Sequence, residues 1–263
     1  MIKTNYHTHC YLCQHAQGLP SDYIKLALKA GYTEIGISDH GPLFKEWTYR
    51  MNLNDFFDIY LPDINKGKAK YGDKIKIYSG LEIEYFPQFD NHYRQLLKWL
   101  DYLILGQHVV MTASGLNDIY SEMTEELIEL YKEEVIGAMQ TGMFRILAHP
   151  DIYLFGYRTW NKTTEKIAAA IIESAIANDV FLEINANGIR RGPIINQDNE
   201  NTYIYPRLEF WRLVKRYPEA KIIIGEDNHA FNHVDDEACR RARQFAADMG
   251  LKPQIYLFGE SNE

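Results

Sequence analysis

Short apolar runs alternate along this chain with longer segments in which apolar residues return every three or four positions. The short runs are 2–6 (IKTNY), 34–38 (EIGIS), 75–81 (IKIYSGL), 102–106 (YLILG), 144–148 (FRILA), 181–185 (FLEIN) and 221–225 (KIIIG). Most are close to continuously apolar rather than alternating, which suits parallel strands buried on both faces. Helices are expected over 20–30, 54–70, 91–100, 122–141, 163–178, 206–216 and 235–249. Pro20 or Ser21 opens the first and Gly31 closes it. Ser121 precedes a run with Glu122, Glu125 and Glu126 in its first turn, where acids meet the positive end of the helix dipole, and Gly142 ends that run.

No internal repeat, low-complexity tract or linker interrupts the pattern. Seven strand–helix units in one domain, residues 1–263, predict an α/β barrel. A doubly wound open sheet is the alternative, but no Gly-x-Gly-x-x-Gly turn follows any of the strands.

Composition narrows the function classes. The 263 residues are 46% hydrophobic and 13% aromatic, enough for a large core, and the net charge is −8. An acidic chain lacks the basic face of a general nucleic-acid or membrane-surface binder. A small anionic substrate stays open, because bound metal ions can supply local positive charge. Three cysteines make no disulfide framework. The first residues carry no apolar stretch of a secretory signal, and no run reaches the roughly 20 apolar residues of a membrane span. The expected setting is a reducing cytoplasm.

The reactive side chains fall on this map in a regular way. His7 and His9 follow the first strand, Asp39 and His40 the second, Glu82 and Glu84 the third, and His108 the fourth. His149 and Asp151 follow the fifth, Glu183 and Asn185 end the sixth, and Asp227 and His229 follow the seventh. A single histidine after a strand is usually a cap or a core residue. Here seven of nine histidines sit at strand ends or in the first loop, leaving His92 and His233 as expected solvated positions near helix starts. The carboxyl-terminal rim of a parallel barrel is where sites are assembled from several strands. Histidines mixed with a few carboxylates suit zinc, iron or manganese rather than calcium or magnesium. The donors are too many for one ion, so two or three are expected, with Glu82 able to bridge. Multi-metal sites of this kind favour phosphate-ester hydrolysis.

Cys10 and Cys13 form a C-x-x-C with no second pair, and Cys239 stands alone. The expectation is that the pair packs beside the cluster, with metal ligation by either as the lesser alternative. Arg158, Arg190 and Arg191 lie near the same rim and are candidates to hold a phosphate, each against the bland reading of a surface arginine. Glu84, Tyr85, Trp160 and Tyr203 are candidate wall residues.

Taken together, HTHCYLCQHAQG, EIGISDHGP, GLEIEYFP, DYLILGQHVV, RILAHPDIY, EINANGIRRG and IIIGEDNH resemble the PHP (polymerase and histidinol phosphatase) superfamily, and among its members the histidinol-phosphate phosphatases. The stretches run in the family's order across almost the whole chain. The resemblance implies a distorted (β/α)7 TIM-like barrel, in line with the strand count. It also implies ligands: His7, His9, Glu82 and Asp227 around one metal; His15, His40 and His229 around a second; Glu82, His108 and His149 around a third. One departure is Glu226, which stands where many members have serine and would add negative charge near the cluster.

The expected function is a metal-dependent phosphomonoesterase acting on L-histidinol phosphate in histidine biosynthesis, with a metal-bridging hydroxide attacking phosphorus. Asp39 and Asp151 are candidates to protonate the leaving group, or else partners that orient His40 and His149. A PHP phosphoesterase for another small phosphate ester or a phosphodiester is the second reading. A non-enzymatic, metal-stabilised PHP module is the third.

Overall fold

The computed structural model describes residues 3–43 and 48–259; Ile2, at the head of the first expected strand, lies outside them. Seven parallel strands form a nearly closed barrel: β1 (Thr4–Asn5), β2 (Glu34–Ile37), β3 (Lys76–Ile83), β4 (Tyr102–Leu105), β7 (Ile146–Leu147), β8 (Phe181–Asn185) and β11 (Ile222–Gly225). They pair in the order β1-β2-β3-β4-β7-β8-β11. Two small antiparallel ribbons lie outside the barrel: β5 (Val109–Thr112) with β6 (Gly115–Asp118), and β9 (Ile194–Ile195) with β10 (Asn201–Thr202). All seven barrel strands lie where the apolar runs predict them; the ribbons do not show in those runs because they are only half-buried.

Strands β1 and β11 do not form a continuous ladder. Their upper ends meet through a parallel bridge between Thr8 and Asn228, with His9 N donating to Asn228 O. Lower down, the chain's last described residues fill the seam. Gln254 N donates to Ile222 O, Thr4 Oγ1 to Ile255 O, and Leu257 N to Tyr6 Oη.

The helices are α1 (Pro20–Lys29), α2 (Leu53–Asp55), α3 (Leu61–Tyr71), α4 (Asp90–Leu96), α5 (Glu125–Gln140), α6 (Lys162–Ala177), α7 (Ala186–Arg190), α8 (Leu208–Val214) and α9 (Glu237–Asp248). Helix α5 begins one turn later than Glu122 implies, because the Thr124 side chain accepts from Leu127 N and caps it there. Residues 54–70 are helical as expected, but Phe56–Tyr60 form a π turn between α2 and α3. Pro62 explains it: proline has no N–H to give and its ring clashes with the carbonyl four residues back, so the preceding turn widens.

The core has two layers. Between sheet and helices pack Ile35, Ile37, Leu81, Leu103, Leu105, Leu147 and Leu182 with the apolar faces of α1, α5 and α6. Inside the barrel pack Tyr6, Tyr102, Ile104, Ile146, Ala148, Phe181, Ile223 and Leu257. Strand side chains alternate between the two layers. Small residues on neighbouring strands make room for the large inward ones. A Cβ on Gly36 or Gly80 would overlap the buried ring or hydroxyl of Tyr102, and one on Gly106 would overlap Glu82. The barrel floor is therefore aromatic, and its upper end receives the inward carboxylates of Glu82 and Glu183.

Replacing Gly80 by alanine puts a methyl group 2.4 Å from the Tyr102 ring. The expected cost is about 1–3 kcal/mol of overpacking, read as a fall of several degrees in Tm against the parent chain. An unchanged Tm would show that the barrel floor is not closely packed.

Candidate metal centre

Strand order and alternation bring the reactive residues to one end of the barrel. His7 and His9 leave β1, His40 leaves β2, and Glu82 is the seventh residue of β3, pointing inward. His108 follows β4, His149 follows β7, and Asp227 and His229 follow β11. His15 arrives from the loop after the short helix Tyr11–Cys13. His149 and Asp227 hold backbone φ of 33° and 51°, a region that L-residues rarely occupy and that tends to persist at functional sites.

The tautomers follow from what each ring faces on its far side. His7 Nδ1 lies 2.8 Å from Glu183 Oε1, and His9 Nδ1 lies 3.2 Å from Asp39 Oδ1. His108 Nδ1 lies 2.8 Å from Glu84 Oε1, and His15 Nδ1 lies 2.7 Å from the carbonyl of Cys13. Each of these partners accepts hydrogen bonds, so each ring carries its proton on Nδ1 and turns a bare Nε2 inward. Two such pairs then face each other: His7 and His9 Nε2 are 3.1 Å apart, as are His15 and His229 Nε2. Bare lone pairs at that distance repel unless a cation or a proton lies between them.

Three groups of donor atoms result, each within 4.8 Å: His7, His9 and Glu82; His15, His40 and His229; and Glu82, His108 and His149. Asp227 Oδ1 joins the first, 3.2 Å from His9 Nε2 and 3.8 Å from His7 Nε2. Glu82 stands between the groups, with Oε2 3.0 Å from His40 Nδ1 and Oε1 3.0 Å from His149 Nε2. The buried atoms His40 Nδ1 and Asp227 Oδ1 make no hydrogen bond despite such close neighbours. Oriented donors without hydrogens between them are what a metal cluster requires. The field agrees. Burial opposes charge on His7, but Glu183, Asp227 and Glu82 outweigh it and raise its proton affinity to a pKa of about 10. Burial and the charges of Arg50 and His9 keep His40 well below its ordinary value.

The cysteines lie beside this cluster. Cys10 Sγ donates to Asp39 Oδ2 and Cys13 Sγ to the carbonyl of Cys10, and both are buried and unpaired by disulfide. Cys13 also stands within reach of His9 and His229 as a fourth group of donors.

Three expected roles change. Asp39 orients His9 rather than the His40 ring, and it accepts from Cys10 Sγ and from the backbone of Cys13 and His40. Burial alone would raise its pKa, yet the bond and charge of His9 take it below the ordinary value. Asp151 is completely buried beneath the site, with Oδ2 held by Arg207 N; burial pushes it up to about 7. It is not among the residues that line the cavity. Arg190 turns away from the rim. Its guanidinium donates to Asp236, to the carbonyls of Glu226, Asp227 and His233, and to Asn228 Oδ1. It holds the loop that carries Asp227 in place. Glu226 is likewise buried behind the site on Tyr32 and Asn228, so its charge faces away from the cluster.

A cavity of about 790 Å³ opens over the cluster, lined by His15, His40, His108, His149, Asp227 and His229 below. Tyr49, Tyr120, Phe155, Tyr205 and Arg191 form much of its wall. None of Glu84, Tyr85, Trp160 and Tyr203 is among the lining residues. Glu84 instead ties His108 to Arg50, and Tyr85 Oη donates to Asp90. Arg191 donates from Nε to Tyr205 Oη and lies over the rings of Tyr120 and Phe155 at 5.3 and 5.4 Å. Arg158 stacks on that same Phe155 ring at 5.7 Å. His92 and His233 are half-buried and bonded, to Pro42 O and His229 N, rather than freely solvated.

Glu183 is the functional residue that strand-end counting placed but gave no role. Its Oε1 orients His7 and its Oε2 accepts from His149 N and Asn185 Nδ2. The signal was its inward register on β8, opposite Ile223 of β11.

Comparison with known proteins settles the family. The PHP domain pattern matches residues 5–187, more than half of the chain. The chain belongs to the PHP family. Similar PHP proteins include a histidinol-phosphatase of Bacillus subtilis, 24% identical over 89% of this chain and 96% of that protein. A probable histidinol-phosphatase of Deinococcus radiodurans is 27% identical, but the match spans only 59% of its length and 56% of this chain. Among solved structures, a histidinol phosphate phosphatase of Lactococcus lactis, determined with zinc, L-histidinol and phosphate, shares the fold. It superposes with a TM-score of 0.67 at 19% identity over 95% of both chains.

The ribbon β5–β6 is fastened to α5 by Glu134, which accepts from Met111 N and Gln107 Nε2. Burial raises the Glu134 carboxyl to about 7 against these two bonds. A folded value above the unfolded one means that its contribution is full below about pH 4.5 and is lost as pH rises through about 7. Glu134→Gln should therefore flatten the fall in Tm between pH 5 and 8, and parallel profiles for the two proteins would contradict this assignment.

Proposed function

We propose that this PHP protein is a metal-dependent phosphomonoesterase that hydrolyses L-histidinol phosphate to L-histidinol and phosphate. The observation that carries the proposal is the set of bare imidazole nitrogens grouped three ways around the inward carboxylate of Glu82, at the base of a cavity whose wall holds Arg191. Nine donors in this reading hold two or three divalent transition metals, zinc, iron or manganese: His7, His9, His15, His40, Glu82, His108, His149, Asp227 and His229. When bound, such metals supply a hydroxide at neutral pH and neutralise phosphoryl charge. The substrate named for the relatives above supports the choice among phosphate esters.

The chain's own residues do the rest. Glu82 bridges the groups and balances part of their charge. Glu183, Asp39 and Glu84 hold His7, His9 and His108 in the tautomer that presents Nε2. Arg191 meets phosphoryl oxygens with the terminal nitrogens not used on Tyr205, and Arg158, beside the same Phe155 ring, is the second candidate for that role. The described residues contain no helix long and apolar enough to cross a membrane.

The test is phosphate release from L-histidinol phosphate beside a panel of other phosphate esters, with metal content measured on the same sample. The expected kcat/KM falls within the ~10⁴–10⁸ M⁻¹s⁻¹ of working enzymes. His9→Ala and Asp227→Asn should lose metal and activity together, and turnover that survives metal removal would sink the proposal. Glu183→Gln should weaken metal affinity or activity by about 10- to 100-fold, as loss of an orienting carboxylate does. Arg191→Ala should raise KM at unchanged metal content; an unchanged KM places the phosphate elsewhere.

A further inference from the structure

The barrel places the cluster, but one part of the cavity wall comes from outside the barrel. The chain leaves β4 at His108 and makes the β5–β6 hairpin before entering α5. In that hairpin Val109 is paired with Asp118, and both line the cavity. Residues opposite each other on an antiparallel pair share a face, so this face of the hairpin looks into the cavity. Its position is built in at both ends. Ile119 N donates to His108 O, and Glu134 holds Met111 N from α5.

Asp118 and Asp227 are the carboxylates among the lining residues, and Asp227 belongs to the cluster. Asp118 does not. Its Oδ1 accepts from Tyr120 N at 2.8 Å, and its other oxygen has no protein partner among the described residues. The next aromatic, Tyr120, stacks over His108 at 6.3 Å and stands edge-on to Phe155 at 5.0 Å. A lone carboxylate is a poor neighbour for a phosphate and a good one for a cation, and the aromatic face beside it also favours a cation. The cavity thus holds two kinds of group: the cluster at its base and Arg191, which seek a phosphate, and the carboxylate of Asp118, two residues from Tyr120, whose ring Arg191 also overlies at 5.3 Å.

We infer that Asp118 is a specificity residue that recognises a cationic group on the alcohol portion of the substrate, selecting phosphate esters of amino alcohols over uncharged ones. This rests on the phosphomonoesterase reading above and adds to it the charge of the leaving group. Asp118 takes no part in the bond-breaking step, so its effect falls on binding.

The experiment compares the metal-loaded parent with Asp118→Asn, which keeps the oxygen that accepts from Tyr120 N, and with Asp118→Ala. Substrates are L-histidinol phosphate, 2-aminoethyl phosphate, an imidazolylethyl phosphate without the amine, and p-nitrophenyl phosphate, whose alcohol portion carries no cationic group. For Asp118→Asn, the expected result is a rise of about 10- to 100-fold in KM for L-histidinol phosphate, the size of a charge-assisted hydrogen bond. The kcat for that ester and both constants for p-nitrophenyl phosphate should stay as in the parent, at equal metal content. Whichever partial substrate shows the same loss identifies the amine or the imidazole as the group recognised. Equal losses on charged and uncharged esters, or no loss on any, overturn the inference while leaving the phosphatase reading intact. A parent that does not hydrolyse L-histidinol phosphate overturns that reading. The inference is then decided on whichever esters are hydrolysed, and a parent with no preference for cationic ones overturns it too.

Discussion

Everything at the upper end of this barrel depends on one buried carboxylate. Glu82 points inward from β3 into a space left by Gly106, just past the end of β4, and its two oxygens face imidazoles from four different strands or loops. A bare carboxylate in such a place is costly. It is tolerated because histidines surround it and hold it well below its ordinary pKa against the opposing effect of burial. The same requirement runs outward. Of the imidazoles turned toward Glu82, His7, His9 and His108 have their other nitrogen taken up by Glu183, Asp39 and Glu84. The buried acids around the barrel rim are thus one system of charge balance rather than separate features.

That system explains how residues with no place in the cavity still serve it. Arg190 fixes the loop bearing Asp227 through carbonyls and Asp236. Cys10 and the backbone of Cys13 complete the acceptor capacity of Asp39. The C-x-x-C is therefore neither a disulfide nor half of a zinc knuckle, but a buried support for the acid that orients His9. The barrel floor, filled by Tyr6, Tyr102 and Phe181, keeps the strands at the spacing that this rim needs.

The fold class and the membership of the cluster were legible in the chain because both follow from local rules. Buried parallel strands are continuously apolar, and a strand's last residues sit at the rim wherever the strand lies in the barrel. Strand ends at His7, His40, Glu82, His108, His149 and Asp227 therefore carried the site before any coordinates. The PHP resemblance then proposed how the donors divide, a division that periodicity alone could not supply.

What only the tertiary structure decided is direction. Asp39, Asp151, Arg190 and Arg191 all lie near the rim in sequence, yet one orients a histidine, one is buried beneath the site, one braces a loop and one faces the cavity. The β5–β6 hairpin and the Tyr49, Tyr120 and Tyr205 wall have no strong periodic signal, because they mix buried and exposed residues that obey contacts made far along the chain. Sequence order determines which groups reach the end of the barrel. Which way a side chain turns there depends on the partners that satisfy its charge and hydrogen bonds, and those come from other strands.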